Sequence, residues 1–399
     1  MKLRGERTFY FHGILTEISV EEEVKHMAEP LKEMYNPHVL QQFAEKVKLV
    51  YAPFEIDSFL NAIFDASWDG LSLKQRMRKI TVALGEHLPT DYPKALDVLL
   101  TLGNEAQKGL FVVFPDFIEV YGQEESDWDL SMKGLEYFTQ GSSAEFAVRP
   151  FILSQPERMM AQMKEWAVSD NEHVRRLASE GCRPRLPWGQ ALVLFKQDPI
   201  PVLDVLELLK QDSSLYVRKS VANNLNDISK DHPMLVLETA KDWKNQHAHT
   251  DWIIRHGCRG LLRMEKPEAY ALFGYANVVE EKQLITNGEL AIEPSVISIG
   301  ESTTLSWGLT INEQTDKRIR VEYAVDYIKA NGKQSRKKFL LVDHHFSKPE
   351  RINRSRTIHW ANLSTRTHYP GMHQISLIVN GVSIAETSIE LTNETSHSL

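Results

Sequence analysis

The sequence predicts two folds in series: a right-handed α-solenoid of short helix pairs, then a β-sandwich. Three observations carry this expectation. Up to about residue 283, apolar side chains recur three and four apart, the period of an amphipathic helix, without strand-like alternation. Within that stretch a short pattern returns at intervals near 40 residues. From Ile285 the period switches to two, in short β-branched and aromatic runs.

Residues 1–25 read as an extension ahead of the helical pattern. The run from Leu73 to Ile80 continues through Val82, Leu84 and Leu88 until Pro89 and Pro93 end it, because proline has no N–H for a helix interior. Ala95–Leu100 and Leu203–Leu209 repeat the theme, and loops such as Gln197-Asp198-Pro199-Ile200-Pro201 are short. The recurring pattern is Val-Arg or Ile-Arg opening a helical run, at Val148-Arg149, Val174-Arg175, Val217-Arg218 and Ile254-Arg255. The last three are 43 and 37 residues apart, while the first is only 26 before the second. Small and apolar residues follow each of the last three at helical spacing: Leu177, Ala178 and Gly181; Val221, Ala222 and Leu225; Cys258, Gly260 and Leu261. Helix-pair repeats of this length are the mark of HEAT-like solenoids, expected here over 26–284.

The second half alternates around Leu290–Pro294, Thr303–Leu309, Ile319–Tyr327, Lys338–Val342, Arg356–Trp360, His373–Val379 and Val382–Leu391. Asn331-Gly332 and Asn380-Gly381 are hairpin signals. About seven short strands suit an immunoglobulin-like sandwich over 285–392, without the cysteine pair of antibody domains and with Trp307 or Trp360 as a core anchor. Such a sandwich is expected to have a core of its own. A polar tail, 393–399, closes the chain.

Composition bounds the rest. With 399 residues, 42% hydrophobic and 25% charged, the chain suits two or three globular domains and no fibrous or disordered class. No apolar run approaches the roughly 18 residues of a membrane span, and the first residues carry no secretory signal, so a cytoplasmic protein with no membrane partner is expected. Cys182 and Cys258 sit in helical patterns and read as buried thiols. The pairs His247/His249 and His344/His345 lack acidic or cysteine company at ligand spacing, so no metal is expected. The net charge of −8 alone disfavours a polyanion partner, yet residues 317–356 hold 12 Lys or Arg against 4 Asp or Glu, and residues 173–263 hold 14 against 10.

The stretch from Gly141 to Trp188 is richest in chemistry. Arg175, Arg176, Arg183 and Arg185 crowd it, with Arg149 upstream, and Arg175 and Arg176 follow a helix cap at Asp170 or Asn171. Arginine forks and helix N-termini suit phosphate oxygens. Carboxylates are interleaved. Glu180, four after Arg176, suits an ion pair along one helix face. Glu145 could cap a helix start, and Asp227 could cap a helix or pair with Lys230. Trp188, on a proline-rich loop, is either a packing plug or an exposed aromatic surface.

VRRLASEGCRPRLPWG, with EFAVRPF upstream and VRKSVANNLNDISKDHP downstream, resembles the AlkC branch of the HEAT-like-repeat DNA alkylation glycosylases over about Asn36 to Ala276. The tail resembles the immunoglobulin-like domain of one subgroup of that branch. The resemblance implies a monofunctional, monomeric glycosylase that removes 3-methyladenine and related cationic N-alkylpurines from double-stranded DNA, without a cofactor and without flipping the base into a pocket. It implies that Glu145, Glu180 and Asp227 form an acidic cluster at the lesion and that Trp188 walls the deoxyribose. Arg149, Arg175, Arg176, Arg183, Arg185, Arg218, Lys219, Arg255 and Arg259 would meet the DNA. Arg336, Lys337, Lys338, Arg351 and Arg354 would clamp it from the sandwich.

The residue types agree with that chemistry. A cationic base leaves without protonation, and the difficulty is the positive charge that grows on the sugar. Carboxylates stabilise such an oxocarbenium-like state and can orient water, and a tryptophan face can add cation–π attraction. Two other readings compete: a non-catalytic protein that binds damaged DNA, and a helical scaffold for proteins. Acids beside the arginines disfavour pure phosphate binding, and the arginines disfavour the scaffold.

Overall fold

The computed structural model describes residues 31–106, 110, 112–312, 317–363 and 366–393. The expected extension at 1–25, and 394–399 of the expected tail, lie outside these. Packing divides the chain into two compact units, one ending at Asp227 and the other beginning at Ile228.

The first unit is helical. Asn36 Oδ1 accepts from Val39 N at 3.0 Å, and Pro37 supplies the first residue of the helix Pro37–Val50. Ser72 N donates to Gln75 Oε1 at 2.9 Å to open Leu73–His87, which ends two residues before Pro89. Further helices run Tyr92–Ala106, Val113–Tyr121, Trp128–Thr139, Val148–Ser154, Pro156–Ala167, Glu172–Gly181, Ile200–Leu209 and Leu215–Ile228. Asn171 caps Glu172–Gly181, accepting from His173 N at 2.9 Å. That helix closes on Gly181, where a Cβ would meet Val148 Cγ2 at 2.7 Å, so only glycine lets the two helices approach this closely.

The sequence repeat has a structural meaning in this unit. Arg175 Nη1 donates to the carbonyls of Ser169 and Asp170, at 3.0 and 2.9 Å. Forty-three residues on, Arg218 Nη1 donates to those of Asp212 and Ser213, at 2.9 and 2.7 Å. Each arginine reaches back to tie down the loop that enters its own helix. The pattern does not extend to Ile254-Arg255, which lies in the last turn of Ala248–Gly257 rather than opening it.

The second unit holds the helices Pro233–Trp243, Ala248–Gly257, Arg259–Arg263 and Pro267–Leu272, and then eight strands among the described residues. These are β1 Ile285–Glu293, β2 Val296–Ser298, β3 Ser302–Ile311, β4 Lys317–Ile328, β5 Gln334–Phe346, β6 Glu350–His359, β7 Gly371–Val379 and β8 Val382–Thr392. One sheet has the order β1-β3-β6, the other β2-β8-β7-β4-β5. All pairings are antiparallel except β2 with β8. The strand the sequence pattern missed is β2, whose three residues are too short to display alternation. Asn380 and Gly381, at φ 44° and 86°, make the two-residue turn between β7 and β8, as the dipeptide predicts.

Trp360 and Trp307 anchor two apolar clusters, the first with Leu305, Val325, Ile375 and Ile389, the second with Leu309, Val321, Leu377 and Val379. The second also takes in Ala276 and Leu284, from the segment ahead of β1. The sandwich core is therefore shared with the preceding chain rather than wholly its own. Polar contacts reinforce the join. Tyr275 donates to Asp343 Oδ2 at 2.9 Å, Asn380 Nδ2 to the Ala276 carbonyl at 2.9 Å, and Lys338 Nζ to Glu265 Oε1 at 2.6 Å. Among the described residues no helix is long and apolar enough to cross a membrane.

Candidate active site

Three carboxylates and two guanidinium groups form one chain in the first unit, buried at Glu180, Arg183 and Asp227 and half-buried at Glu145 and Arg176. Glu145 lies just before the helix Val148–Ser154, Arg176 and Glu180 on Glu172–Gly181, Arg183 just after it, and Asp227 at the end of Leu215–Ile228. Arg176 Nη1 meets Glu145 Oε2 at 2.7 Å, and its Nη2 lies 3.7 Å from Glu180 Oε1. Arg183 Nη1 donates to Glu180 Oε1 at 2.6 Å, and its Nε and Nη2 reach Asp227 Oδ2 at 2.9 and 2.8 Å. The expected Arg176–Glu180 pair along one helix face is thus present but longer than the bond from Arg183. Glu145 caps no helix: it turns to Arg176 and accepts from Ser143 Oγ at 2.8 Å. Asp227 turns to Arg183.

A line of hydroxyls fixes Glu180 from its other side. Ser220 Oγ donates to Glu180 Oε2 at 2.6 Å, and Ser179 Oγ donates to Ser220 Oγ at 2.6 Å. Asn224 Nδ2 holds the Ser179 carbonyl at 2.8 Å. The Arg176 guanidinium also lies over the Tyr216 ring, 4.7 Å from its centroid. Burial pushes the Glu180 carboxyl up, but Arg176, Arg183 and the Ser220 hydroxyl outweigh it, so the group lies below the ordinary glutamate range. Burial draws Arg176 down, and Glu145 and Glu180 reverse this, leaving its pKa raised. Glu180 is therefore an ionised carboxylate at neutral pH, held in one orientation. It can stabilise a cation there but has no proton to give.

Trp188 is not a packing plug. Its side chain is 61% exposed, and its backbone sits at φ 63°, a left-handed conformation that costs a bulky residue about 1–2 kcal/mol. The loop around it is held at several points. Arg149 is only 1% exposed and spends all three guanidinium nitrogens on backbone carbonyls: Nη1 on Gly181 at 2.9 Å, Nη2 on Arg183 at 3.0 Å, and Nε on Gln190 at 2.6 Å. Leu192 N donates to the Pro184 carbonyl at 3.1 Å. Lys74 Nζ donates to the carbonyl of Trp188 itself at 2.9 Å and lies over the Phe146 ring.

The basic residues divide by environment, and five of them have their guanidinium or ammonium groups engaged within the protein. Arg149 is consumed by carbonyls, and burial lowers it to about 10. Arg176 and Arg183 belong to the acidic chain. Arg175 forks onto Asp212, its Nε at 2.6 Å and Nη2 at 3.2 Å. Lys338 is nearly enclosed by Glu265 and the Arg263 carbonyl. Lys219, Arg255, Arg336, Lys337, Arg351 and Arg354 are exposed, while Arg185, Arg218 and Arg259 are half-buried. Arg336 and Lys337 lie on β5, and Arg351 and Arg354 on β6, an edge strand of each sheet, which the chain joins through Ser347, Lys348 and Pro349. Arg336 has Asp326 at 3.6 Å and Arg351 has Glu289 at 3.3 Å.

Sequence reasoning missed Ser143, Ser179, Ser220, Asn224, Tyr216, Asp212 and Lys74. Only Asp212 left a signal, since it opens the loop that matches Ser169-Asp170-Asn171 in the repeat. Cys182 and Cys258 are both buried free thiols, and burial raises each to about 12. Among the described residues no three His, Cys, Asp or Glu side chains gather as metal ligands.

Comparison with known proteins bears on this arrangement. Residues 76–261 match the family described as DNA alkylation repair enzyme, and residues 286–393 match the C-terminal Ig-like domain of the uncharacterised protein YhaZ. The chain is 46% identical over 351 residues to YhaZ of Bacillus subtilis (strain 168), covering 88% of this chain and 96% of that protein. It is 39% identical to the Pseudomonas fluorescens alkylpurine DNA glycosylase AlkC, whose structure was solved bound to DNA containing an abasic site analog. That likeness has a TM-score of 0.85 and covers 91% of this chain and 99% of the other. With an acidic chain, an exposed tryptophan and likeness across both halves, the protein belongs to the DNA alkylation repair enzymes, in the AlkC-type branch with a C-terminal immunoglobulin-like domain.

Proposed function

We propose that the protein is a monofunctional DNA glycosylase that hydrolyses the N-glycosidic bond of cationic N-alkylpurines, chiefly 3-methyladenine, in duplex DNA. The observation that carries this reading is the chain Glu145–Arg176–Glu180–Arg183–Asp227. Three carboxylates against two paired guanidinium groups leave one formal negative charge within the chain, and the Arg149 cation nearby is fixed by three carbonyls. The sugar cation therefore meets oriented oxygens rather than a bare negative field. Their hydrogen bonds are in place before the reaction, so little reorganisation accompanies bond breaking. One carboxylate orients the attacking water, and the Trp188 face lies against the deoxyribose.

The same arrangement limits the substrate. Glu180 is ionised and cannot protonate a departing base. A lesion that already carries a positive charge needs no such proton, whereas uracil and hypoxanthine do not leave as neutral bases without help. The base need not enter a pocket, because the chemistry is directed at the sugar. The exposed cations of the helical part, and those of β5 and β6, supply phosphate contacts. The functional division we infer is 26–284 for the HEAT-like glycosylase part and 285–392 for the clamp, acting as a cytoplasmic monomer. The test is release of free base from methylated duplex DNA by the purified protein, read by chromatography. Bound but uncleaved DNA would favour a non-catalytic damage binder instead.

A further inference from the structure

We infer that Lys74 is a positioning residue that holds Trp188 in its exposed, left-handed conformation, a role that rests on the proposed aromatic wall. Lys74 stands on the helix Leu73–His87, more than a hundred residues from the loop in sequence and ahead of the 76–261 family match. Its ammonium donates to the Trp188 carbonyl at 2.9 Å and lies 4.5 Å from the centroid of Phe146. Phe146 follows Glu145 directly, so one cation links the tryptophan to the strand of chain that delivers the first carboxylate.

The need for such a link comes from the backbone. A tryptophan at φ 63° relaxes to negative φ unless its surroundings over-determine the conformation. Arg149 secures the flanks through the carbonyls of Arg183 and Gln190, but neither bond reaches the strained residue. Lys74 does, at the carbonyl of Trp188 itself, on the peptide whose N–H, from Gly189, closes a turn onto the Leu186 carbonyl at 3.1 Å. Lysine suits the task because its ammonium can satisfy a carbonyl and an aromatic face together. An exposed lysine beside a DNA-binding face has an ordinary alternative, a phosphate contact, and the two roles differ in how binding responds to salt.

The test compares the full-length protein with Lys74→Met, Lys74→Arg, Trp188→Ala and the Lys74→Met/Trp188→Ala double variant. Single-turnover release of 3-methyladenine and the salt dependence of duplex binding are measured for each. Misplacing a positioned group by about 1 Å costs up to roughly 10²-fold, so Lys74→Met is expected to slow release about tenfold. Lys74→Arg keeps most of the rate, the salt slope of Lys74→Met matches the parent, and the double variant is no slower than Trp188→Ala. A fall of about 0.9 in the slope makes Lys74 a phosphate contact and overturns the proposal. A further tenfold loss in the double variant overturns it too, because Lys74 then acts without the tryptophan. If Trp188→Ala releases base at the parent rate, the aromatic wall itself has failed. Amide hydrogen exchange over residues 186–191 then decides: faster exchange in Lys74→Met sustains the positioning role, and unchanged exchange ends it.

Discussion

Replacing Glu180 with glutamine keeps the side chain's shape and removes its charge, and the network around it sets the outcome. Oε1 takes the Arg183 bond at 2.6 Å and Oε2 takes the Ser220 hydroxyl at 2.6 Å. Glutamine can leave its oxygen on Arg183 and turn its amide to Ser220, which must then accept. Ser179 can give up its bond to Ser220, since its hydroxyl also lies 3.1 Å from the Arg176 carbonyl. The hydrogen bonds survive in rearranged form. Removing one partner of a buried ion pair costs about 3–5 kcal/mol. Arg183 keeps Asp227 and Arg176 keeps Glu145, so about 1–3 kcal/mol is expected here, within what a folded domain tolerates. The transition state loses one preorganised anion, expected to slow excision by about 10²–10³-fold. Single-turnover release of 3-methyladenine from methylated duplex checks the rate, and titration with duplex checks binding, which stays equal or tightens as a negative charge is withdrawn from the phosphates. Excision by Glu180→Gln at the parent rate, with the variant folded, would refute the role of this carboxylate.

The other consequences concern structure, binding and pH. Asp212→Ala strands Arg175 and is expected to lower stability by about 1–3 kcal/mol in chemical denaturation, with an unchanged salt slope of DNA binding. Changing Arg336, Lys337, Arg351 and Arg354 to Ala should reduce that slope by about 0.9 for each phosphate no longer neutralised. Lys338→Ala should leave the slope intact and destabilise the second unit, because it removes the partner of Glu265. In the folded protein Glu180 lies below its ordinary 4.5, so its contribution to stability is complete above that value and is lost as pH falls toward the folded pKa. The stability gap between parent and Glu180→Gln should therefore be constant from pH 8 to about 5.5 and narrow below about 4.5, and an equal gap at pH 3.5 and pH 7 would contradict the assignment.

Much of the fold is legible in the sequence because its signals are local. The helical period, the proline stops and the Asn380-Gly381 turn each act within a few residues, and each element forms where those signals lie. The acidic residues are legible as types in a pattern, but their partners are not. Spacing suggests a single bond between Arg176 and Glu180, whereas folding brings Arg183 round the helix end between Glu180 and Asp227. The basic residues mislead most, because a cation's role depends on what surrounds it. The family resemblance sets Arg175 and Arg218 toward DNA, yet in the fold both bind the carbonyls of their own entry loops. Lys74 and Ser220 leave no trace in the sequence, since each meets its partner only through tertiary packing.

Whether the oriented carboxylates break the bond to a cationic base is decided by the purified protein and three duplexes. These carry 3-methyladenine, uracil or hypoxanthine, and free base is separated by chromatography under single-turnover conditions. Release of 3-methyladenine is expected, with an abasic site left for each base freed, and no release of the other two. Retention of all three bases by protein that binds the duplexes, or efficient release of uracil, would contradict this mechanism.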